Sequence, residues 1–174
     1  MPLAPLPAEP DLVERAYTAL LRSISEGELA PGTRLTQEEI AASLGVSRQP
    51  VLQALRQLKH DGFVIDAGRR GLMVAPLDPA LITQVYQLRA ALDALAARLA
   101  AERRASLDAG LIVQGEKAAK SRRVAAMIDA DVAFHNAIYE ASGNPLIADS
   151  ANRHWAHIRR AMGENTVSVI EGVR

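Results

Sequence analysis

Three groups of residues in this sequence have the types and spacing to do chemistry. Asp131 and His135 stand four apart in Asp131-Val132-Ala133-Phe134-His135. On a helix that spacing sends both side chains from one face. A carboxylate and an imidazole so placed can share a divalent ion such as zinc or nickel. They can equally make a purely structural hydrogen bond. The second group is Ser47-Arg48-Gln49. At a helix start, Ser47 and the free backbone N–H groups suit a phosphate. Arg48 can take guanine O6 and N7 together, and Gln49 can do the same for adenine. The third group is Arg69-Arg70, flanked by Gly68 and Gly71. Glycines there let the two cations approach a backbone or a minor groove closely. No Ser–His–Asp arrangement, phosphate loop or carboxylate pair stands out. A hydrolytic metal at Asp131 and His135 would lack a third ligand and a general base, so the chain reads as no enzyme.

These groups need elements to hold them. Leu12, Val13, Ala16, Leu20, Leu21 and Ile24 fall on one helical stripe, with Asp11 and Glu14 as a capping start. Thr36-Gln37-Glu38-Glu39 opens a short helix that should bury Ile40, Ala41 and Leu44, and Gly45 ends it. Ser47 caps the next helix, with Val51, Leu52, Leu55 and Leu58 inward and Gly62 at its end. Phe63-Val64-Ile65 and Leu72-Met73-Val74 read as two strands around the turn 67–71. Helix, tight Gly-containing turn, helix and hairpin describe a winged helix-turn-helix. Its second helix offers its N-terminal residues to the major groove. The bland alternative is a winged helix that binds only protein.

Asp78-Pro79 opens a long Ala-rich helix running to about Arg104. Helical pattern resumes after Ser106, weakened by Gly110 and Gly115. Two further helices are expected, from about Val124 to Ala141 and from Pro145 to about Met162, and 163–174 show no clear period. Trp155 reads as core or interface, and Met73, Met127 and Met162 as core fillers. Lys117, Lys120, Arg122 and Arg123 read as solvated surface. The domains expected are a Pro-rich, poorly ordered arm at 1–10, a winged helix-turn-helix at 11–76 and an all-α bundle at 77–174, a mainly α fold.

Composition agrees with this and removes other classes. The 174 residues carry 20 basic and 20 acidic side chains, so no globally basic coat exists. Charge is segregated instead: residues 47–75 have a balance of +3 and residues 1–46 of −4, as a local DNA-facing surface requires. Without Cys, disulfides, thiol catalysis and Cys-ligated metals are excluded. No apolar run approaches the ~20 residues of a membrane span, and the first ten residues lack the features of a signal peptide. The cytoplasm of a bacterium is the expected compartment, with no membrane partner.

The stretch Arg34-Leu35-Thr36-Gln37-Glu38-Glu39-Ile40-Ala41, Leu44-Gly45-Val46-Ser47-Arg48-Gln49-Pro50-Val51, then Leu55, Leu58, Asp61-Gly62 and Gly68-Arg69-Arg70-Gly71, resembles the winged helix of the GntR family of bacterial transcription regulators. The resemblance implies a DNA-facing set of Arg34, Thr36, Ser47, Arg48, Gln49, Gln53, Arg69, Arg70 and Gly71. It implies a homodimer on a palindromic double-stranded operator, most often a repressor. Leu52 stands where the family often has an operator-contacting Arg. Asp131 to Ile138, with Ala141-Ser142-Gly143-Asn144-Pro145-Leu146, resembles the FCD effector domain of FadR-like GntR regulators. There the Asp and His of this motif bind a metal with two further His residues. Arg89 matches an Arg facing the ligand pocket, which implies a small organic-acid effector, and Asp93 stands where a Glu is usual. The further His residues lie on helices beyond Arg174, so the expectation is a truncated domain with an incomplete metal site. His154 and His157 are the available substitutes. The alternative function is a DNA-binding module whose sensor binds neither metal nor effector.

Overall fold

Ala16, Leu20 and Ile24 recur at four-residue spacing and are all buried, which fixes the inner face of α1 (Leu12–Ser25). The structure, a computed structural model, describes residues 12–68 and 71–171, with side chains up to residue 163. The capping role expected of Asp11 lies outside the described residues. The chain divides into two compact units, the main break falling between Pro76 and Leu77.

In the first unit, α1 is followed by β1 (Arg34–Leu35), α2 (Gln37–Leu44), α3 (Arg48–His60), β2 (Val64–Asp66) and β3 (Leu72–Val74). Thr36 caps α2: its hydroxyl accepts from the Glu39 N–H at 3.3 Å and donates to the Glu39 carboxylate at 2.6 Å. Gly45, at φ +65°, ends the helix with bonds from Gly45 N–H to Ala42 and from Val46 N–H to Ala41. The turn Gly45-Val46-Ser47 therefore launches α3 in a new direction. Gly62 at φ +82° repeats the device, with Phe63 N–H reaching the Leu58 carbonyl at 2.9 Å. That bond keeps Phe63 out of the strand and starts β2 one residue later than the sequence suggests. The sheet is antiparallel in the order β1-β3-β2, with Arg34 opposite Met73 and Ile65 opposite Met73 on the other side. Strand β1 has no counterpart among the sequence expectations; two residues give no periodic signal, and β3 supplies their partners.

Ile24, Val51, Ala54, Leu55, Leu58, Phe63, Val64 and Val74 form the core of this unit. Truncating Leu58, which is wholly buried, should cost about 2–5 kcal/mol. Of the three residues expected inside α2, only Ala41 is buried; Ile40 is half-buried and Leu44 is exposed. An eight-residue helix presents too few turns to bury a wide stripe.

The second unit holds α4 (Pro79–Glu102), α5 (Gly110–Ser121), α6 (Val124–Ser142), α7 (Pro145–Asn152) and α8 (Trp155–Glu171). Asp78 accepts from Ala80 N–H at 2.9 Å with Pro79 in the first turn, so α4 begins where the sequence places it. Helix α4 packs on α6, α7 and α8, and α5 packs on α6. The core joins Val85, Ala96, Tyr139, Ile147, Ala151, Trp155 and Ile158. The single helix expected over 145–162 is two, broken at Arg153-His154, where His154 N–H bonds to the Ala151 carbonyl. No Gly or Pro marks the break, so packing rather than local signal makes it. Helix α8 also continues to Glu171, since propagating a nucleated helix needs no apolar stripe. Met73, Met127 and Met162 are half-buried rather than central. Among the described residues no helix is long and apolar enough to cross a membrane.

Candidate functional site

Helix α3 is divided along its length. Val51, Ala54, Leu55 and Leu58 are buried, whereas Arg48, Gln49, Gln53 and Arg56 are exposed. Pro50 is buried within the first turn, where its missing N–H costs nothing. Ser47 occupies the cap position with φ −70° and ψ 164°, but its hydroxyl makes no bond to the helix. The start of α3 thus presents N–H groups that no side-chain cap satisfies, the arrangement that accepts a phosphate. Arg48, Gln49 and Gln53 lie on the same exposed side. Leu52 is half-buried, so the position where the family often carries Arg contributes packing here.

Arg34, also expected to face DNA, is exposed in β1, whereas the Thr36 hydroxyl is engaged in capping α2. Gly71 adopts φ +110°, and Ala67 N–H bonds to its carbonyl, closing the wing. Arg69 and Arg70 lie outside the described residues. Two cations are partly neutralised: Arg48 Nη2 donates to Glu38 Oε1 at 2.7 Å, and Lys59 Nζ meets Asp66 at 2.7 Å. The Arg48–Glu38 pair has no signature in the sequence, because it joins residues ten apart across the turn.

The second site lies on the facing sides of α4 and α6. Arg89 and Asp93 are four apart on α4, and Asp131, His135 and Tyr139 repeat that spacing on α6. Arg89 Nη2 donates to Asp131 Oδ2 at 2.9 Å, and its Nε lies 3.6 Å from Asp93 Oδ2. His135 Nδ1 is 3.1 Å from Asp93 Oδ1, and its Nε2 is 3.6 Å from Asp131 Oδ1. Tyr139 donates to Asp93 Oδ1 at 2.6 Å. Burial, then this bond to a carboxylate, holds the Tyr139 hydroxyl above the usual tyrosine range. The Arg89 guanidinium also stacks 4.6 Å above the ring of buried Trp155. A cleft of about 360 Å³ opens on Arg89, Asp93 and Asp131, with Tyr86, Ala90 and Met162 around it.

The structure therefore brings Asp131, His135 and Arg89 together, and adds Asp93 and Tyr139. Sequence reasoning missed Tyr139, although its spacing continues the Asp131–His135 series. The described residues do not by themselves fit a metal ion. His135 meets Asp131 Oδ1 through Nε2 and Asp93 Oδ1 through Nδ1, on different sides of its ring, where a closed zinc site takes about four donors around one point and an open one about three from protein. Among the described residues no group of three His, Cys, Asp or Glu side chains is placed to hold one. The Arg89 cation already occupies the other oxygen of Asp131. His154 and His157 do not complete the set; His157 is buried rather than partly exposed.

Residues 2–74 match the gntR family of bacterial regulatory proteins, and residues 84–171 match the FCD domain. An HTH-type transcriptional regulator in the unstable DNA locus of Streptomyces ambofaciens is 33% identical over 83% of this chain and 62% of its own length. Another, in the TAR-I ttuE–ttuC′ intergenic region of Agrobacterium vitis, is 38% identical over 51% of this chain and 52% of its own length. The HTH-type transcriptional repressor RspR of Escherichia coli K12 is 33% identical over 51% of this chain and 39% of its own. The chain thus spans between 39% and 62% of these relatives. The fold is shared with a GntR transcriptional regulator from Rhodococcus sp. RHA1, at a TM-score of 0.70 and 24% identity over 87% of this chain and 74% of that one. It is shared equally with E. coli McbR/YncC, at 0.70 and 23% over 88% and 74%. The chain belongs to the GntR family of bacterial transcription regulators, a DNA-binding winged helix-turn-helix followed by a helical FCD domain.

Proposed function

We propose that this chain is a sequence-specific repressor of the bacterial cytoplasm that binds a palindromic operator as a homodimer and answers to a small organic acid. Residues 11–76 meet the DNA and residues 77–174 carry the sensor. The observation that carries the reading is the division of α3. Ser47, Arg48, Gln49 and Gln53 face solvent from the helix start while the opposite face is buried. One such helix spans only a few base pairs, so useful specificity calls for two half-sites, about one helical turn or a multiple apart. Repression is the activity named for the relative RspR.

Arg89 supports the acid effector. Its guanidinium lines the cleft over the Trp155 ring, and its paired N–H donors suit a carboxylate. Asp131 holds that edge in the free chain, so an effector must displace it. The same internal pair favours a second reading, a DNA-binding module whose helical unit takes no effector. Zinc or nickel would need donors beyond Asp131 and His135. Gel-shift titration on duplexes selected from a randomised pool tests all of this. The expected result is two chains per selected duplex and release by a carboxylic acid, lost in Arg89→Met. Equal affinity for selected and scrambled duplexes overturns sequence-specific binding. Indifference to every acid in a broad panel leaves the second reading.

A further inference from the structure

Glu38 places a negative charge on the surface that, in the reading above, meets a polyanion. Its carboxylate is 76% exposed and bonds at 2.7 Å to Arg48, which is 66% exposed. Exposed ion pairs add little to folding stability, so the pair is not needed to hold α2 on α3. Helices α2 and α3 pack together, and Ala41 on the first and Val51, Ala54 and Leu55 on the second are buried. Near DNA an acid is repelled unless donors meet it, and the donors within reach are an Arg fork or the cytosine N4 amine. Glu38 has the first.

From this we infer that Glu38 is a specificity-determining positioning residue that acts through Arg48. A long arginine on a helix start has two ways to bind DNA. It can make a phosphate contact, which carries no sequence information, or a bidentate contact to guanine, which does. Glu38 takes one N–H of the guanidinium, whose five donors leave enough for a base edge. It thereby fixes the plane of the fork at the groove-facing end of α3. The carboxylate also repels any phosphate that Arg48 could otherwise seek. Glu38 thus weakens binding to arbitrary sequence more than binding to the operator, and specificity is a difference of affinities.

The inference rests on Arg48 meeting DNA, and the test separates the two. Wild type, Glu38→Gln, Arg48→Ala and the double variant are titrated by fluorescence anisotropy against a wild-type-selected duplex and its scrambled counterpart, over a salt series. Circular dichroism checks that each variant is folded. Glu38→Gln should bind scrambled duplex more tightly and lower the selected-to-scrambled ratio about fivefold, a fraction of what a bidentate guanine contact discriminates. Its log–log salt slope on scrambled duplex should steepen by about 0.9, the value of one additional neutralised phosphate. In the Arg48→Ala background Glu38→Gln should change neither quantity, and Glu38→Asp should recover part of the ratio. If Arg48→Ala weakens selected-duplex binding but Glu38→Gln leaves ratio and slope unchanged, the role given to Glu38 is wrong and that of Arg48 stands. An equal effect of Glu38→Gln with and without Arg48 shows plain charge repulsion and also overturns it. No effect of Arg48→Ala on the selected duplex removes the assignment of Arg48 itself.

Discussion

Replacing Arg89 by Met should loosen the helical unit by an amount its surroundings allow to be worked out. The Arg89 side chain is 10% exposed, with Asp131 and Asp93 at 32% and 30%. Removing one partner of a fully buried pair costs about 3–5 kcal/mol, mostly from the charge left unpaired. Here water reaches about a third of each carboxylate and screens part of that cost. His135 also still faces both acids. Met keeps the apolar stem against Trp155, so packing there is largely preserved. The expected net cost is about 2 kcal/mol. Trp155 is the sole tryptophan of the chain and touches the cluster, so its fluorescence reports unfolding of this unit selectively. With a urea slope of about 2 kcal/mol per molar, the midpoint should fall by about 1 M. Asp131→Asn alone should cost about 1 kcal/mol, and the double variant less than the sum by about 1 kcal/mol. An unchanged midpoint in Arg89→Met, or additivity within about 0.5 kcal/mol, would show that the pair contributes nothing to stability.

Replacing Arg69 and Arg70 together by Ala should weaken binding to all duplexes without changing the selected sequence, and flatten the log–log salt dependence by about 0.9 for each phosphate no longer neutralised; an unchanged slope places the wing tip away from DNA. Elemental analysis after gel filtration in the presence of zinc or nickel should find less than one ion per chain, because His135 meets Asp131 and Asp93 through different ring nitrogens and Arg89 competes for Asp131; a stoichiometric ion that disappears in Asp131→Ala refutes this. The Tyr139 hydroxyl is held above its ordinary range in the folded chain. The unfolded chain ionises it near pH 10 and the folded chain does not. Its contribution is therefore complete below that pH and lost as pH rises beyond it, and Tyr139→Phe should flatten the alkaline fall of the Trp155 midpoint. A wild-type slope in that variant would show that Tyr139 has no part in the alkaline fall.

What the sequence disclosed was local. Thr36, Gly45, Asp78-Pro79 and Asn144-Pro145 are caps and turns whose chemistry is complete within four residues, and each stands at the helix end that its residue type implies. The turn at Gly45 then obliges two helices to cross, so the DNA-binding fold was legible without tertiary information. The i,i+4 pair of Asp131 and His135 was legible for the same reason. The missing features all depend on what lies opposite. Strand β1 exists because β3 runs beside it. The break before Trp155 carries no Gly or Pro and accompanies burial of that ring against the cluster. Asp93 reads in the sequence only as an Asp where a Glu is usual, yet it receives Tyr139, His135 and Arg89 at once. No spacing within one helix could show that, since Tyr139 and His135 sit more than forty residues away.

The two arginines proposed to meet outside ligands each hold an internal carboxylate and differ in burial and in what surrounds them. Arg48 is bound to Glu38 and Arg89 to Asp131, at 2.7 and 2.9 Å, so each guanidinium meets an internal carboxylate while no ligand is bound. An acid at Arg89 must therefore match a bond already made, whereas Arg48 gives one N–H to Glu38 and keeps others for a base edge. For Arg48, 66% exposed, water solvates both partners and the pair adds little to folding stability. For Arg89, 10% exposed, the released Asp131 must find water or another donor before exchange is favourable. The His135 ring lies 3.6 Å from Asp131 and also contacts Asp93. Under the proposed function, an acid at Arg89 would have to replace Asp131 with a bidentate group. Burial sets much of the difference between the two arginines, and the Asp93 carboxylate and Trp155 ring beside Arg89 add to it.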